Sequence, residues 1–227
     1  MQWGGLNAWA QAQGLAAEPF GPELSDEVEV VFERMPPSLR GLRATGSLTA
    51  TYGPFPSMSE PGTLIEMPSR NYTEPMDEKT YRSLSDRQRI VADCWYSRNH
   101  DGYVRHRHLQ QLVAVEEHFV IPYVLAALGD YVIEIVHELE TASSRWADAG
   151  SWQHHHYRQF ASYNNDFMGL MRQRAISYRY CYYTRSYRGT GAGEDRLGRP
   201  LYPAFVALNR LEGDRGYPPR RFRLPPA

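Results

Sequence analysis

Residues 99–139 read NHDGYVRHRHLQQLVAVEEHFVIPYVLAALGDYVIEIVHEL, and their reading decides the fold. Asp101 and Gly102 form a turn pair. Val104, Leu112 and Val115 then recur at helical spacing, with Leu109 and Val113 widening the stripe. Glu116, Glu117 and His118 break that pattern. Pro122 suits the first turn of a new helix, where its missing N–H leaves no bond unmade. This helix, expected over 121–128, is too short to be stable alone and needs neighbours. Gly129 and Asp130 end it. A further helix is expected over 131–142, with Val132, Ile135, Val136 and Leu139 on one face. From Asp101 to Asp130 the two turns lie 29 residues apart (130 − 101), within the range of paired-helix repeats.

Asp101-x-x-Val104-Arg105, followed by leucines at helical spacing, resembles the turn and second helix of HEAT-type repeats. The longer run, with its DGYVR, PYVL…LGDYV and RQRAISY…CYY segments, is similar to bacterial HEAT-like proteins, over residues 85–187. The resemblance implies an all-α stack of helix pairs in which the Asp caps a helix and the Arg pairs with the Asp of the neighbouring repeat. The second unit departs from the pattern. It is one residue shorter, and Ile133 stands where Arg would follow Val.

The rest of the chain is read around this centre. Residues 1–80 are expected to supply N-terminal helices and an irregular arm that packs on the core. Residues 81–211 form the HEAT-like helical domain, and 212–227 a poorly ordered tail. In the first part, helices are expected over 7–13 and from Ser25 to about Met35, with a further turn at 38–43. Residues 44–72 hold Gly46, Gly53, Pro54, Pro56, Pro61, Gly62 and Pro68, a composition of turns. Within it, 47–52 and 63–67 are candidates for a small hairpin. Thr73-Glu74-Pro75 reads as a helix start. Ser85 with Gln88 fits a capping box for a helix burying Ile90, Val91, Cys94 and Trp95. Further helices are expected over 146–163, 167–183 and 202–211, with a flexible loop at 189–198.

Composition excludes several classes. The 227 residues carry a net charge of −1, so no global field advertises a polyanionic partner. The charge is uneven: residues 1–80 hold 11 acids and 5 bases, residues 81–227 hold 15 acids and 20 bases. Lys79 is the only lysine among 25 basic residues. Cys94 and Cys181 each sit in an apolar run and read as buried thiols, without disulfide or zinc spacing. No apolar run has membrane-spanning length, and no secretory leader is evident, so a cytoplasmic bacterial protein with no membrane partner is expected. There is no phosphate loop, dinucleotide fingerprint or nucleophile elbow, and no cofactor is expected.

Four groups of residues stand out. His108 lies on the inward stripe, where a polar ring needs a partner or a wet groove. Arg105, Arg107, Arg172, Arg174, Arg179 and Arg185, with Tyr178, Tyr180, Tyr182 and Tyr183, form an arginine–tyrosine set able to grip phosphates and stack bases. Glu134-x-x-His137, with Glu138, is half of a carboxylate-bridged metal site, but no second copy exists. His154, His155 and His156 are consecutive, so on a helix they diverge by about 100° each and cannot close on one ion. The leading expectation is a non-catalytic scaffold or adaptor for a protein partner, with Arg105, His108, Arg172, Arg174, Tyr178 and Arg179 as contacts. A nucleic-acid binder using the arginine–tyrosine face comes second. A small metalloenzyme built on Glu134 and His137 comes third.

Overall fold

A computed structural model describes residues 19–36, 44–53, 62–183 and 201–213. The expected helices at 7–13 and 38–43, the loop at 189–198 and the tail beyond 213 lie outside the described residues. The described chain is predominantly helical, with one two-stranded antiparallel sheet. It divides into two compact units, Met1–Val124 and Leu125–Ala227.

In the first unit, helix α1 (Ser25–Glu33) packs on α3 (Asp86–Tyr96). Val28 and Val31 of α1 are buried, and Phe32 meets Trp95 edge-on at 4.8 Å. Ser25 is the first helical residue, and Leu24 holds the cap position without a side-chain bond. Strands β1 (Ala44–Tyr52) and β2 (Thr63–Asn71) contain both segments of the expected hairpin and are longer, pairing with Tyr52 opposite Thr63 and Leu48 opposite Met67. Alternation explains the register. Leu48, Ala50 and Tyr52 are buried, and so are Ile65 and Met67 opposite the first two; a slip of one residue would expose all of them. Gly46, at φ 63°, takes a backbone conformation that a side chain would strain, within the strand.

Thr73-Glu74-Pro75 does not start a helix. Thr73 is fully buried, its hydroxyl accepts from Trp95 Nε1 at 3.0 Å, and α2 (Glu78–Arg82) begins only after Asp77, which caps Thr80 N at 2.9 Å. The tertiary bond to Trp95 wins over the local capping tendency. Ser85 and Gln88 form the expected capping box on α3, with bonds of 3.3 and 2.9 Å. Asp101 caps α4 (Gly102–Leu112) by accepting from Tyr103 N at 2.8 Å.

A buried polar staple joins β2 to the α3–α4 turn. Asn71 donates from Nδ2 to the Trp95 carbonyl at 2.7 Å, and its backbone bonds Arg98 O and His100 N at 2.8 and 2.7 Å. Asn99 Nδ2 donates to Thr73 O at 2.7 Å, and Arg98 to Ser69 O at 2.7 Å. These bonds satisfy backbone groups that the end of the hairpin would otherwise bury unpaired.

Helix α5 (Ile121–Ala126) spans the division between the units and continues as a 3-10 turn, Ala127–Gly129. In the second unit, α6 (Ile133–Ala142), α7 (Ser144–Ala147), α8 (Trp152–Tyr163) and α9 (Asn165–Tyr182) follow, with α10 (Pro203–Glu212) against α6, α7 and α8. Asp148–Ser151 interrupts the expected helix at 146–163, giving α7 and α8. Helix α10 buries Pro203, Ala204, Phe205, Val206, Ala207, Leu208 and Leu211, so it is apolar nearly all round and sits inside this unit. Arg210 reaches from α10 to the end of α6, donating to Glu140 O at 2.7 Å and Ser143 Oγ at 3.0 Å. A carbonyl at the helix end gains a donor in this way.

Candidate interaction and polar sites

The buried polar centre of the first unit is Asp93 with His108. Helix α3 turns Asp93 inward between Ala92 and Cys94, and α4 turns His108 toward it; they are 3% and 4% exposed. His108 Nδ1 stands 2.6 Å from Asp93 Oδ1. Tyr81 of α2 donates its hydroxyl to the same carboxylate, at 2.9 and 3.0 Å from its two oxygens. On the other side of the imidazole, Arg107 Nη2 lies 3.2 Å from Nε2. A guanidinium only donates, so Nε2 is the acceptor and Nδ1 carries the proton given to Asp93. Tyr96 lies against the imidazole at 4.9 Å between centroids and Tyr81 meets it edge-on at 5.9 Å, which fixes the ring plane. Burial pushes the Asp93 carboxyl above its ordinary range, while His108, Tyr81 and Arg107 pull it back. Burial and the Asp93 charge raise the Tyr81 phenol, and burial raises that of Tyr96.

Arg105 is 1% exposed and donates to the carbonyls of Asn99 and His100, both at 2.9 Å. It holds the turn that Asp101 caps. The structure therefore places Arg105 and His108 on one helix but in different networks.

In the second unit, Arg172 pairs with Glu212 at 2.5 Å, tying α9 to α10. Arg179 donates to the carbonyl of Tyr183 at the end of α9. Arg174 lies over Gly129, where an added Cβ would stand 2.9 Å from its Cδ. Tyr178 belongs to an aromatic group with Tyr131 and Tyr182. The three centroids are 5.9, 6.1 and 6.0 Å apart, a near-regular triangle. Tyr131 is 41% exposed and Tyr182 61%. Tyr183 adjoins them, its ring 6.4 Å from Tyr182, and its hydroxyl bonds the Tyr131 carbonyl. Burial raises the Tyr183 phenol, and the charges of Glu134 and Asp130 raise it further.

Cys181 is exposed, contrary to the reading of both thiols as buried. The buried face of α9 runs through Ala175 and Ile176 and then stops; beyond them the helix carries its tyrosines near the surface. Cys94 is fully buried, and burial raises its thiol far up.

His137 Nδ1 is 3.2 Å from Glu140 Oε2. Of the three consecutive histidines, His154 bonds the Trp146 carbonyl at 2.8 Å, while the rings of exposed His155 and of His156 meet edge-on at 4.8 Å, His156 lying against Trp152 at 4.4 Å. Among the described residues no group of three or more His, Cys, Asp or Glu is placed to hold a metal ion. Nor is any described helix long and apolar enough to cross a membrane.

Sequence reasoning passed over Asp93, Tyr81 and Tyr131. A signal for Asp93 existed: it is the only acid in the buried run from Val91 to Tyr96. Tyr131 had none, because its role depends on where α9 ends. Searches against family models, curated proteins and solved structures find no match for the chain.

Proposed function

We propose that this chain is a non-catalytic, HEAT-like helical-repeat module of the bacterial cytoplasm. It binds a protein partner through Tyr131, Tyr178 and Tyr182. The tyrosine triangle, exposed at Tyr131 and Tyr182 and half-buried at Tyr178, carries the proposal. Tyrosine offers a large, stiff contact area at small entropic cost and is enriched among residues that dominate protein interfaces. Three such rings clustered at a helix end make a patch of the kind interaction sites use.

The repeat reading is supported by an aspartate turn ahead of each helix. Asp101, the N-cap of α4, accepts from Tyr103 N at 2.8 Å, and Asp130, two residues before the N-cap Val132 of α6, accepts from Val132 N at 3.0 Å. Two free cysteines suit a reducing compartment. A protein partner is favoured over nucleic acid because Arg172 and Arg179 already serve Glu212 and a main-chain carbonyl. Glu134 and Asp130 also add negative charge beside the rings, which repels phosphate.

Affinity capture from an extract of the native host tests this, comparing the wild type with Tyr131→Ser/Tyr182→Ser and with Tyr163→Ser. Tyr163 is also exposed but lies on α8, outside the triangle. A protein retained by the wild type and Tyr163→Ser, and lost from the double variant, supports the proposal. Equal retention by all three overturns it.

A further inference from the structure

We propose that the tyrosine face receives an arginine side chain of the partner, its guanidinium lying against the rings of Tyr131, Tyr178 and Tyr182 and paired with the carboxylate of Glu134. This rests on the reading of the face as a protein-binding site and names the chemistry of what docks there.

Tyr131 stands just ahead of α6, and Tyr178 and Tyr182 are one turn apart at the end of α9. The three rings are not stacked flat on one another. Their planes cross at 74°, 36° and 49°, and Tyr131 and Tyr182 keep exposed surface. An aromatic face attracts a cation through the negative charge of its π-system. A guanidinium is planar and weakly hydrated, so it stacks on such a face at small cost in solvation.

The rings alone would also suit an apolar side chain, and the charges around them decide for a cation. Glu134 lies in the first turn of α6 and is exposed, with no hydrogen bond or ion pair to its carboxylate among the described residues. Its charge acts on the phenol of Tyr183, whose ring adjoins Tyr182. Helix α9, 18 residues long, ends at Tyr182, and the last carbonyls of a helix carry partial negative charge. The N-terminal end of α6 has the opposite sign, which Glu134 offsets. Asp130 is buried and bonded to Val132 N, so it adds charge but no contact surface. Of the nearby cations, Arg179 directs Nη1 to the Tyr183 carbonyl, and Arg174 stands over Gly129. An exposed carboxylate beside aromatic faces matches both ways in which arginine is recognised, paired hydrogen bonds and stacking.

The test uses the full chain with isotope-labelled tyrosine rings, and the peptide Gly-Arg-Gly-Arg-Gly as probe, followed by nuclear magnetic resonance. Saturable shifts of the Tyr131, Tyr178 and Tyr182 rings are expected, with affinity falling as salt is added. The same peptide with citrulline for arginine keeps the planar shape without the charge and should bind about threefold more weakly. Glu134→Gln should weaken the arginine peptide about threefold and leave the citrulline peptide unchanged. Tyr182→Phe, which keeps the ring, should bind like the wild type, and Tyr182→Ser should bind more weakly. Glu134 and Tyr182 are exposed, so these changes leave the core intact. Glu29→Gln, at an exposed acid of α1 in the first unit, should alter nothing.

Absence of saturable shifts in these rings overturns the proposal. So does equal affinity for the citrulline peptide, or an arginine affinity that Glu134→Gln leaves intact. Ring shifts that follow protein concentration without peptide also overturn it, since a second copy would then cover the face. Failure here is distinct from failure of the partner reading. A protein captured through the tyrosines, with no arginine binding, leaves that reading standing and overturns this one. Arginine binding with no captured protein does the reverse.

Discussion

Asp93 and His108, fifteen residues apart in sequence, are joined by a 2.6 Å hydrogen bond inside the first unit, and that bond links α3 to α4. Its loss leaves a buried polar group behind. Asp93→Ala or His108→Ala should lower unfolding free energy by about 2–3 kcal/mol, the cost of an unmet buried partner. Asp93→Asn, which still accepts from Nδ1, should cost less. Urea denaturation measures each. The pH dependence has a definite sign. Burial raises the folded-state Asp93 pKa above the ordinary carboxyl value. The group favours folding at low pH, and this contribution is lost as pH rises through the raised value. The stability of the wild type relative to Asp93→Asn should therefore fall as pH climbs above about 4, the ordinary carboxyl pKa. A flat difference would mean that the carboxyl titrates alike in both states.

The two cysteines should react very differently. Cys181 is exposed, whereas Cys94 is buried and its thiol raised. Native protein treated with a thiol reagent should take up one equivalent at Cys181, and the second only on unfolding. Peptide mapping by mass spectrometry reads the sites. Labelling of Cys94 at the rate of Cys181 in native protein would refute the packing around α3.

Gly129 allows α9 to approach the 3-10 turn. A Cβ there would stand 2.9 Å from Arg174 Cδ and 3.1 Å from both Arg174 Cβ and Met171 Sδ. Gly129→Ala should therefore destabilise the protein by about 1–3 kcal/mol through overpacking. Gly150→Ala meets nothing closer than 3.6 Å and should be near neutral. Thermal melts of the two variants give the comparison.

Asn71 is a polar staple with no exposed surface. Asn71→Ala removes the donor to the Trp95 carbonyl and the acceptor for Thr73 N. A loss of about 2 kcal/mol is expected from these unmet groups. Amides of β1 and β2 should lose hydrogen-exchange protection first, since Asn71 ends β2 and a two-stranded hairpin depends on what it packs against.

How much of this was legible in the sequence varied with how local each signal is. The α3 capping box and the Asp101 turn were readable because a few adjacent residues determine them. The two hairpin segments were readable between turn-forming residues, but their register shows only in the pairing that buries Leu48, Ala50, Ile65 and Met67 together. Thr73 was misread because a local cap motif competes with a bond to Trp95, 22 residues away. Cys181 was misread because the helical period continues past the point where α9 leaves its apolar neighbours. The need of His108 for a partner was visible, but the identity of that partner was not. Asp93 and Tyr81 reach the ring only once three helices have packed.

The most direct measurement of the central claim is crosslinking from the one accessible cysteine. A photoactivatable reagent on Cys181 sits beside Tyr182 in sequence, at the edge of the tyrosine triangle. Irradiated in an extract of the native host, the wild type should give one discrete protein adduct, and Tyr131→Ser carrying the same label should lose it. Adducts that form equally with Tyr131→Ser, or that are nucleic acid instead of protein, would contradict the assignment of this face to a protein partner.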